Sequence, residues 1–247
     1  SLLAQTINDQ NQVLYLRRLQ LSGQFNANAS FNQRSFFNGK DSFPDEIKDF
    51  SFGDPVTIKK LDSSYRLRVL PLYHLGVYNT HHPINMNDAD MIPANGYQSI
   101  ISSGMQVSKN RWSAQFKPTI LYAENRDFET FLTQFDGIHW RDYYEWVNRI
   151  DMPERFGYKP ITKAYIGQSY LRYNFNHSSI GVSTENLWWG PGYYQSLLMT
   201  NNAPGFLHLN FQSNKPMVTN FGSVEWQAIT GRLEDSEYPP VESRRVY

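Results

Sequence analysis

One stretch, residues 16–32 (LRRLQLSGQFNANASFN), alternates along almost its whole length. Leu19, Leu21, Phe25, Ala27, Ala29 and Phe31 share one parity, while Arg18, Gln20, Ser22, Gln24, Asn26, Asn28, Ser30 and Asn32 share the other. A period of two predicts a β-strand, because successive side chains of a strand point to opposite faces. The run is longer than the roughly 5–6 residues of an ordinary soluble strand and matches the roughly 9–11 residues that cross a bilayer at a tilt. A soluble sandwich would pack the apolar face on a core. An outer-membrane barrel would turn it to lipid and the polar face to a wet lumen.

The same alternation recurs downstream. Residues 64–78 predict a second long strand, with Tyr65, Leu67, Val69, Tyr73, Leu75 and Val77 on one face and Arg66, Arg68 and His74 on the other. Pro71 removes a ladder hydrogen bond, so a bulge or kink is expected there. A third strand (97–108) and a fourth (111–123) meet across a tight Lys109-Asn110 turn; the fourth sets Trp112, Ala114, Phe116, Ile120 and Tyr122 against Arg111, Ser113, Gln115, Lys117 and Thr119. A fifth strand (168–176) turns at His177-Ser178 into a sixth (179–185), and strands at 205–212 and 222–233 complete a series of eight. Residues 33–63 hold the breakers Asn38-Gly39, Phe43-Pro44 and Gly53-Asp54-Pro55, with room for one helical turn at 45–50 and a short strand at 56–61.

Connections after the third, fifth and seventh strands are short, and those after the second, fourth and sixth are long and crowded with aromatic and polar residues. Outer-membrane barrels are laid out in this way, with the long loops outside the cell. Aromatic residues near strand ends (Tyr65, Tyr78, Tyr97, Trp112, Tyr122) fit interfacial girdles. No apolar run approaches the roughly 18 residues of a membrane helix. Lysine plus arginine balances aspartate plus glutamate at 23 each, so no global field draws the chain to nucleic acid. The absence of cysteine excludes disulfides and thiolate metal sites. No basic start followed by an apolar core is visible at Ser1.

The strings YNTHHP (78–83), NDADMIPANGYQS (87–99), YAENRDFE (122–129), RDYYEWVNRIDMPERFG (141–157) and STENLWWGPGYYQSLLMTNNAPGF (183–206) occur in order, flanked by RRLQLSGQ (17–24) and GRLED (231–235). Together they resemble the Wzi-type capsule assembly proteins of Bacteroidetes. The resemblance implies an all-β fold, an antiparallel transmembrane β-barrel of the outer membrane. It also implies a lectin-like activity that binds and anchors capsular or other surface polysaccharide. Family members are longer, so residues 16–247 read as the N-terminal portion of a larger barrel and residues 1–15 as a lead-in. The implied partners are the polysaccharide, outer-membrane lipid and other outer-membrane proteins.

Trp188, Trp189, Tyr193 and Tyr194, beside Asn186, Asn201 and Asn202, offer flat faces and amides, the combination that binds sugar rings. The competing reading makes these aromatics the loop's own core at the barrel mouth. Tyr143, Tyr144 and Trp146 form a second candidate cluster on a short amphipathic helix stopped by Pro153, where an aromatic stripe equally marks packing. Arg66, Arg68, Arg172 and Glu185 on the polar parity predict a charge network inside a hydrated lumen.

His81-His82 and Asp88 with Asp90 lack the spacing of zinc or EF-hand sites, so no metal or cofactor is expected. Glu124, Asp127, Glu129, Glu145, Asp151 and Glu154 supply carboxylates for a glycosidase pair, but no nucleophile, phosphate or dinucleotide motif accompanies them. The expectation is a non-enzymatic protein. Its alternatives are a structural subunit of a larger outer-membrane assembly, a glycan-processing enzyme, and a soluble sandwich.

Overall fold

The computed structural model describes residues 18, 21–23, 65–129, 139, 142, 143, 145, 151, 153–190, 192, 195–214 and 216–238. Its strands are β1 (Tyr65–Asn79), β2 (Gly96–Lys109), β3 (Trp112–Phe116), β4 (Thr119–Ala123), β5 (Ile161–Tyr165), β6 (Tyr170–Asn174), β7 (Ser178–Ser183), β8 (His208–Ser213), β9 (Met217–Thr219), β10 (Gly222–Val224) and β11 (Gln227–Gly231). All pairings between them are antiparallel. β1 pairs along the length of β2, β2 pairs with both β3 and β4, β3 with β6, β4 with β5, and β6, β7, β8 and β11 follow in succession. β3 and β4 therefore act as one interrupted strand, and β5 and β6 as another. The sheet is an up-and-down meander, with β9 and β10 forming a small separate hairpin before β11.

The two faces of this sheet are inverted relative to a soluble protein. Ile101, Met105, Trp112, Phe116, Ile120, Tyr122, Leu171, Ile180, Val182, Leu209 and Phe211 are exposed, while Gln98, Ser102, Ser113, Thr119, Arg172, Asn174, Ser179, Ser183, His208, Asn210 and Gln212 are buried. Register lines like side chains up across strands: Ser113, opposite Ser108, faces Arg172 on the other side, and Arg172 in turn faces Gly181.

A seam of ladder interruptions crosses the sheet at Leu70/Tyr73, Gly104, Lys117-Pro118 and residues 166–169. Gly104 and Gly167 are required there, because a Cβ on either would collide with backbone of residues 116–117. Side chains take up the freed backbone groups. Lys117 N–H donates to Ser169 Oγ (2.9 Å), Ser102 Oγ–H to the Pro118 carbonyl (2.9 Å), and Thr184 Oγ1–H to the Gly167 carbonyl (2.6 Å).

At two places the seam also inserts a residue. Leu70 faces Gly104 and Tyr73 faces Ser102, so β1 spends two residues where β2 spends one. Such a bulge reverses side-chain phase. The expected kink at Pro71 is present, but the single apolar face predicted for residues 65–77 is not. Leu67 and Val69 lie opposite Val107 and Met105 on the exposed face, whereas Tyr73, Leu75 and Val77 pack on the covered face. His74, expected beside Arg66 and Arg68, is on the exposed face and meets Ser99 Oγ through Nε2 at 2.9 Å. Between β5 and β6 a second phase change moves the covered positions from Ile161, Lys163 and Tyr165 to Tyr170, Arg172 and Asn174. β5 was not predicted, and this broken alternation is the reason.

The strand predicted over residues 16–32 is corrected where the structure describes it. Arg18 and Leu21 are helical, Ser22 N–H donates to the Arg18 carbonyl at 2.9 Å, and Gly23 follows at φ 71°. Leu, Arg and Gln are strong helix formers, and a left-handed glycine is a common helix stop, so local preference overrides the alternation. The remainder of that strand, and the elements predicted at 45–50 and 56–61, lie outside the described residues.

Candidate functional site

Because the meander alternates tight turns with long connections, the long ones collect at one end. The tight turns include Asn110-Arg111, with Asn110 in the left-handed region at φ 53°, one residue later than predicted. The long connections, residues 80–95, 124–160 and 184–207, are joined at the same end by residues 232–238 after β11. They are not independent loops. Ala89 N–H donates to the Asn201 carbonyl (2.7 Å) and Asn87 N–H to Asn202 Oδ1 (2.8 Å), tying the first to the third. Arg126 N–H donates to the Asn95 carbonyl (2.9 Å), and Asn95 Nδ2–H to the Asp127 carbonyl (3.0 Å), tying the first to the second. Ser236 donates to the Asp151 carboxylate from both N–H (2.8 Å) and Oγ–H (2.7 Å), and Phe156 meets Tyr238 edge-on at 5.4 Å.

The first connection enters the sheet. Met91, Ile92 and Ala94 join Ile100, Leu121, Ala123 and Ile161 in the hydrophobic core, with Tyr73, Leu75, Val77, Phe156 and Tyr165 around it. Burial pushes the Asp90 carboxyl up, partly offset by a hydrogen bond with Thr119 and the charge of Lys117. Asp88 is raised by burial as well. Glu124 is held below its ordinary value by the Tyr97 backbone N–H (2.6 Å) and by Arg126 (2.9 Å).

The third connection holds most of the predicted sugar-binding residues. Trp188 is 1% exposed and donates from Nε1 to the Gly192 carbonyl at 2.9 Å. It is the loop's own core, and a ring buried to that degree has no face to offer a sugar. Trp189 pairs with Leu198 through the backbone and donates from Nε1 to Gln227 Oε1 at 2.6 Å, anchoring the segment to β11. Asn186 donates from N–H to Gln168 Oε1 (3.0 Å) and from Nδ2 to the Ala203 carbonyl (2.7 Å). Asn201 is buried and Asn202 exposed. Tyr143 is half-buried, His139, Asp142 and Glu145 around it are exposed, and all four are helical. Tyr144, Trp146, Tyr193 and Tyr194 lie outside the described residues.

Of the four predicted lumen charges, Arg172 and Glu185 form an ion pair, and the Arg172 guanidinium sits 4.2 Å from the Tyr170 ring centroid. Ser183 Oγ–H donates to the Glu185 carboxylate at 3.1 Å. Arg66 and Arg68 pair with Ser108 and Gln106 in the register of β1 on β2. Among the described residues no three His, Cys, Asp or Glu side chains come together as a metal site. Glu124, Asp127 and Asp151 hold Arg126, Arg155 and Ser236 respectively.

Sequence reasoning missed Asn125 and the turn it clamps. The buried Asn125, at φ 51°, donates from Nδ2 to the carbonyls of Phe156 (2.8 Å), Gly157 (3.2 Å) and Lys159 (3.0 Å). No local pattern marks it, since its partners belong to a different part of the chain.

An antiparallel meander with apolar residues exposed on one face, polar residues covered on the other and interlocked long connections at one end defines an all-β protein with a loop-built cap. No helix among the described residues is long and apolar enough to cross a membrane. The chain belongs to the family of capsule assembly protein Wzi, whose model matches residues 79–246, and its role is in capsule assembly. No curated protein and no solved structure matches the chain at a significant level.

Proposed function

We propose that this chain is part of an outer-membrane β-barrel that binds and anchors capsular or other surface polysaccharide through its interlocked long connections. The observation that carries the reading is the inversion of the sheet. Side chains such as Ile101, Phe116, Ile120 and Leu209 stand exposed on one continuous face, which in water is an aggregation liability and in lipid is the stable arrangement. Aromatic residues border it. Tyr78, Tyr97 and Tyr122 lie at the long-connection end, and Trp112, Tyr173, Phe211 and Trp226 at the other, with Trp112 on Tyr173 at 5.0 Å and Trp226 on Phe211 at 4.2 Å. β2 alone runs 14 residues. At roughly 3.3 Å per residue and a tilt of about 40°, a strand of that length spans roughly 35 Å.

The covered face supports a wet interior. Among the described residues Asn174 Oδ1, Ser179 Oγ, His208 Nε2 and Asn210 Oδ1 are buried without a hydrogen-bond partner, which is costly in a dry core and is relieved where interior water reaches them. Among the described residues β1 and β11 each pair on one edge only, so further strands are needed for closure. Such edges also favour a second reading, in which the chain docks against another outer-membrane protein.

Polymer binding would be multivalent and weak at each site, because many copies on one polysaccharide chain raise residence time without high single-site affinity. Within the cap, Trp188 and Trp189 hold the third connection in shape, while Asn202 and Tyr143 are the residues we assign to sugar hydroxyls. The test is retention of the detergent-purified protein on the host's own surface polysaccharide, beside an unrelated polymer. Retention on the host polymer alone supports the reading. A folded protein that binds neither overturns the lectin half, and extraction without detergent overturns the membrane half.

A further inference from the structure

We infer that Tyr158 is a sugar-stacking platform in the cap, taking the apolar face of an uncharged pyranose unit of the polymer; this rests on the polysaccharide-binding reading above. Tyr158 is 83% exposed, yet its position is fixed. The Arg155 guanidinium lies 4.3 Å from its ring centroid and 5.3 Å from that of Phe128, and Arg155 itself is only 9% exposed. Arg155 donates from Nε to the Gly157 carbonyl at 2.8 Å and forms an ion pair with Asp127. The turn that presents the ring has three of its carbonyls on one side-chain amide, that of Asn125. Gly157, at φ 71°, allows the chain to double back so that Tyr158 covers Arg155.

A large ring held in place and left in solvent is unusual, because ordering a side chain costs entropy that burial normally offsets. Here the ordering is already complete before any ligand arrives, so a stacking partner meets no such cost. One ring face is taken by the guanidinium and the other is open. Asp127 contacts the same guanidinium and is otherwise 87% exposed, so its carboxylate is positioned to accept from hydroxyls of a sugar resting on Tyr158. Arg155 already neutralises that carboxylate, which favours an uncharged sugar over an anionic one. His82 packs edge-on to Phe128 at 6.3 Å, continuing the platform into the first connection.

The experiment compares binding of the host polysaccharide by the detergent-purified parent, Tyr158→Phe, Tyr158→Leu and Tyr158→Ala. Loss of one stacking contact of about 1.4 kcal/mol is a tenfold change. Tyr158→Ala and Tyr158→Leu should therefore each weaken binding about tenfold, and Tyr158→Phe should stay within about twofold of the parent. Leucine keeps Arg155 covered, so a defect shared by alanine and leucine belongs to the lost ring face and not to a collapsed turn. A parent that binds while Tyr158→Leu and Tyr158→Ala bind equally well overturns this inference and leaves the wider reading standing. A folded parent that does not bind overturns both.

Discussion

Arg172 and Glu185 form an ion pair on the covered face of the sheet, with side chains only 4% and 12% exposed. A half-broken buried pair is costly because the surviving charge keeps its desolvation penalty and loses its partner. Arg172→Met should destabilise the folded protein by about 3–5 kcal/mol, and adding Glu185→Met should recover a large part of that loss. Urea unfolding of the four members of the cycle in detergent checks it. Equal stability of the single and double variants would mean that water already solvates Glu185 when Arg172 is gone.

Ile120 sits mid-strand on the exposed face and Asn210 mid-strand on the covered one. In a bilayer, Ile120→Arg should cost about 2–4 kcal/mol, whereas Asn210→Ser, facing a polar interior, should change little. Refolding midpoints in lipid vesicles measure both. A harmless arginine at Ile120 would argue that no lipid reaches this face.

Trp188 and Trp189 are neighbours with different duties. Truncating the buried ring in Trp188→Ala should cost about 3–5 kcal/mol and expose the third connection to protease. Trp189→Phe deletes the hydrogen bond to Gln227 and should cost about 1 kcal/mol. Limited proteolysis followed by mass spectrometry of residues 184–207 separates the two.

Glu124 and Asp90 give the cap opposite responses to acid. Glu124 has a folded value below its ordinary 4.5, so its stabilisation is present above about pH 4.5 and is lost as pH falls through the folded value. Asp90 has a folded value above its ordinary 3.8, so ionisation works against folding at neutral pH, and that penalty is relieved as pH falls through the folded value. Hydrogen exchange from pH 7 down to below the folded value of Glu124, corrected for intrinsic rates, should show slower exchange around residues 88–94 and faster exchange around 95–97 and 124–126. Glu124→Gln should abolish the second effect and leave the first.

Alternation made β2 and the β3–β4 pair legible, because their phase is constant from Gln98 to Ser108 and from Trp112 to Tyr122. It failed where phase shifts. Nothing in ITKAY announces β5, and the two halves of β1 obey different rules. At Arg18 and Leu21 the same pattern describes a helical turn, since a short run of Leu, Arg and Gln suits either period. The aromatic-rich third connection was visible as a site, but whether a tryptophan faces outward or inward is decided by contacts such as Trp188 with Gly192 and Trp189 with Gln227. Tyr158 carried no signal at all, because its near neighbour Arg155 is held in place by residues far upstream, Asp127 and Phe128, and its turn by Asn125.

The phase change at Leu70/Tyr73 gives one strand two unrelated audiences. Below it, the odd positions of β1 answer to whatever surrounds the sheet; above it, they answer to Met91, Ile92 and the rest of the core beneath the cap. A substitution on one side leaves the alternation on the other intact. The capped end of the sheet can thus be recut while the other end keeps the same exposed face, and the hinge between these two freedoms is a single additional residue beside a proline.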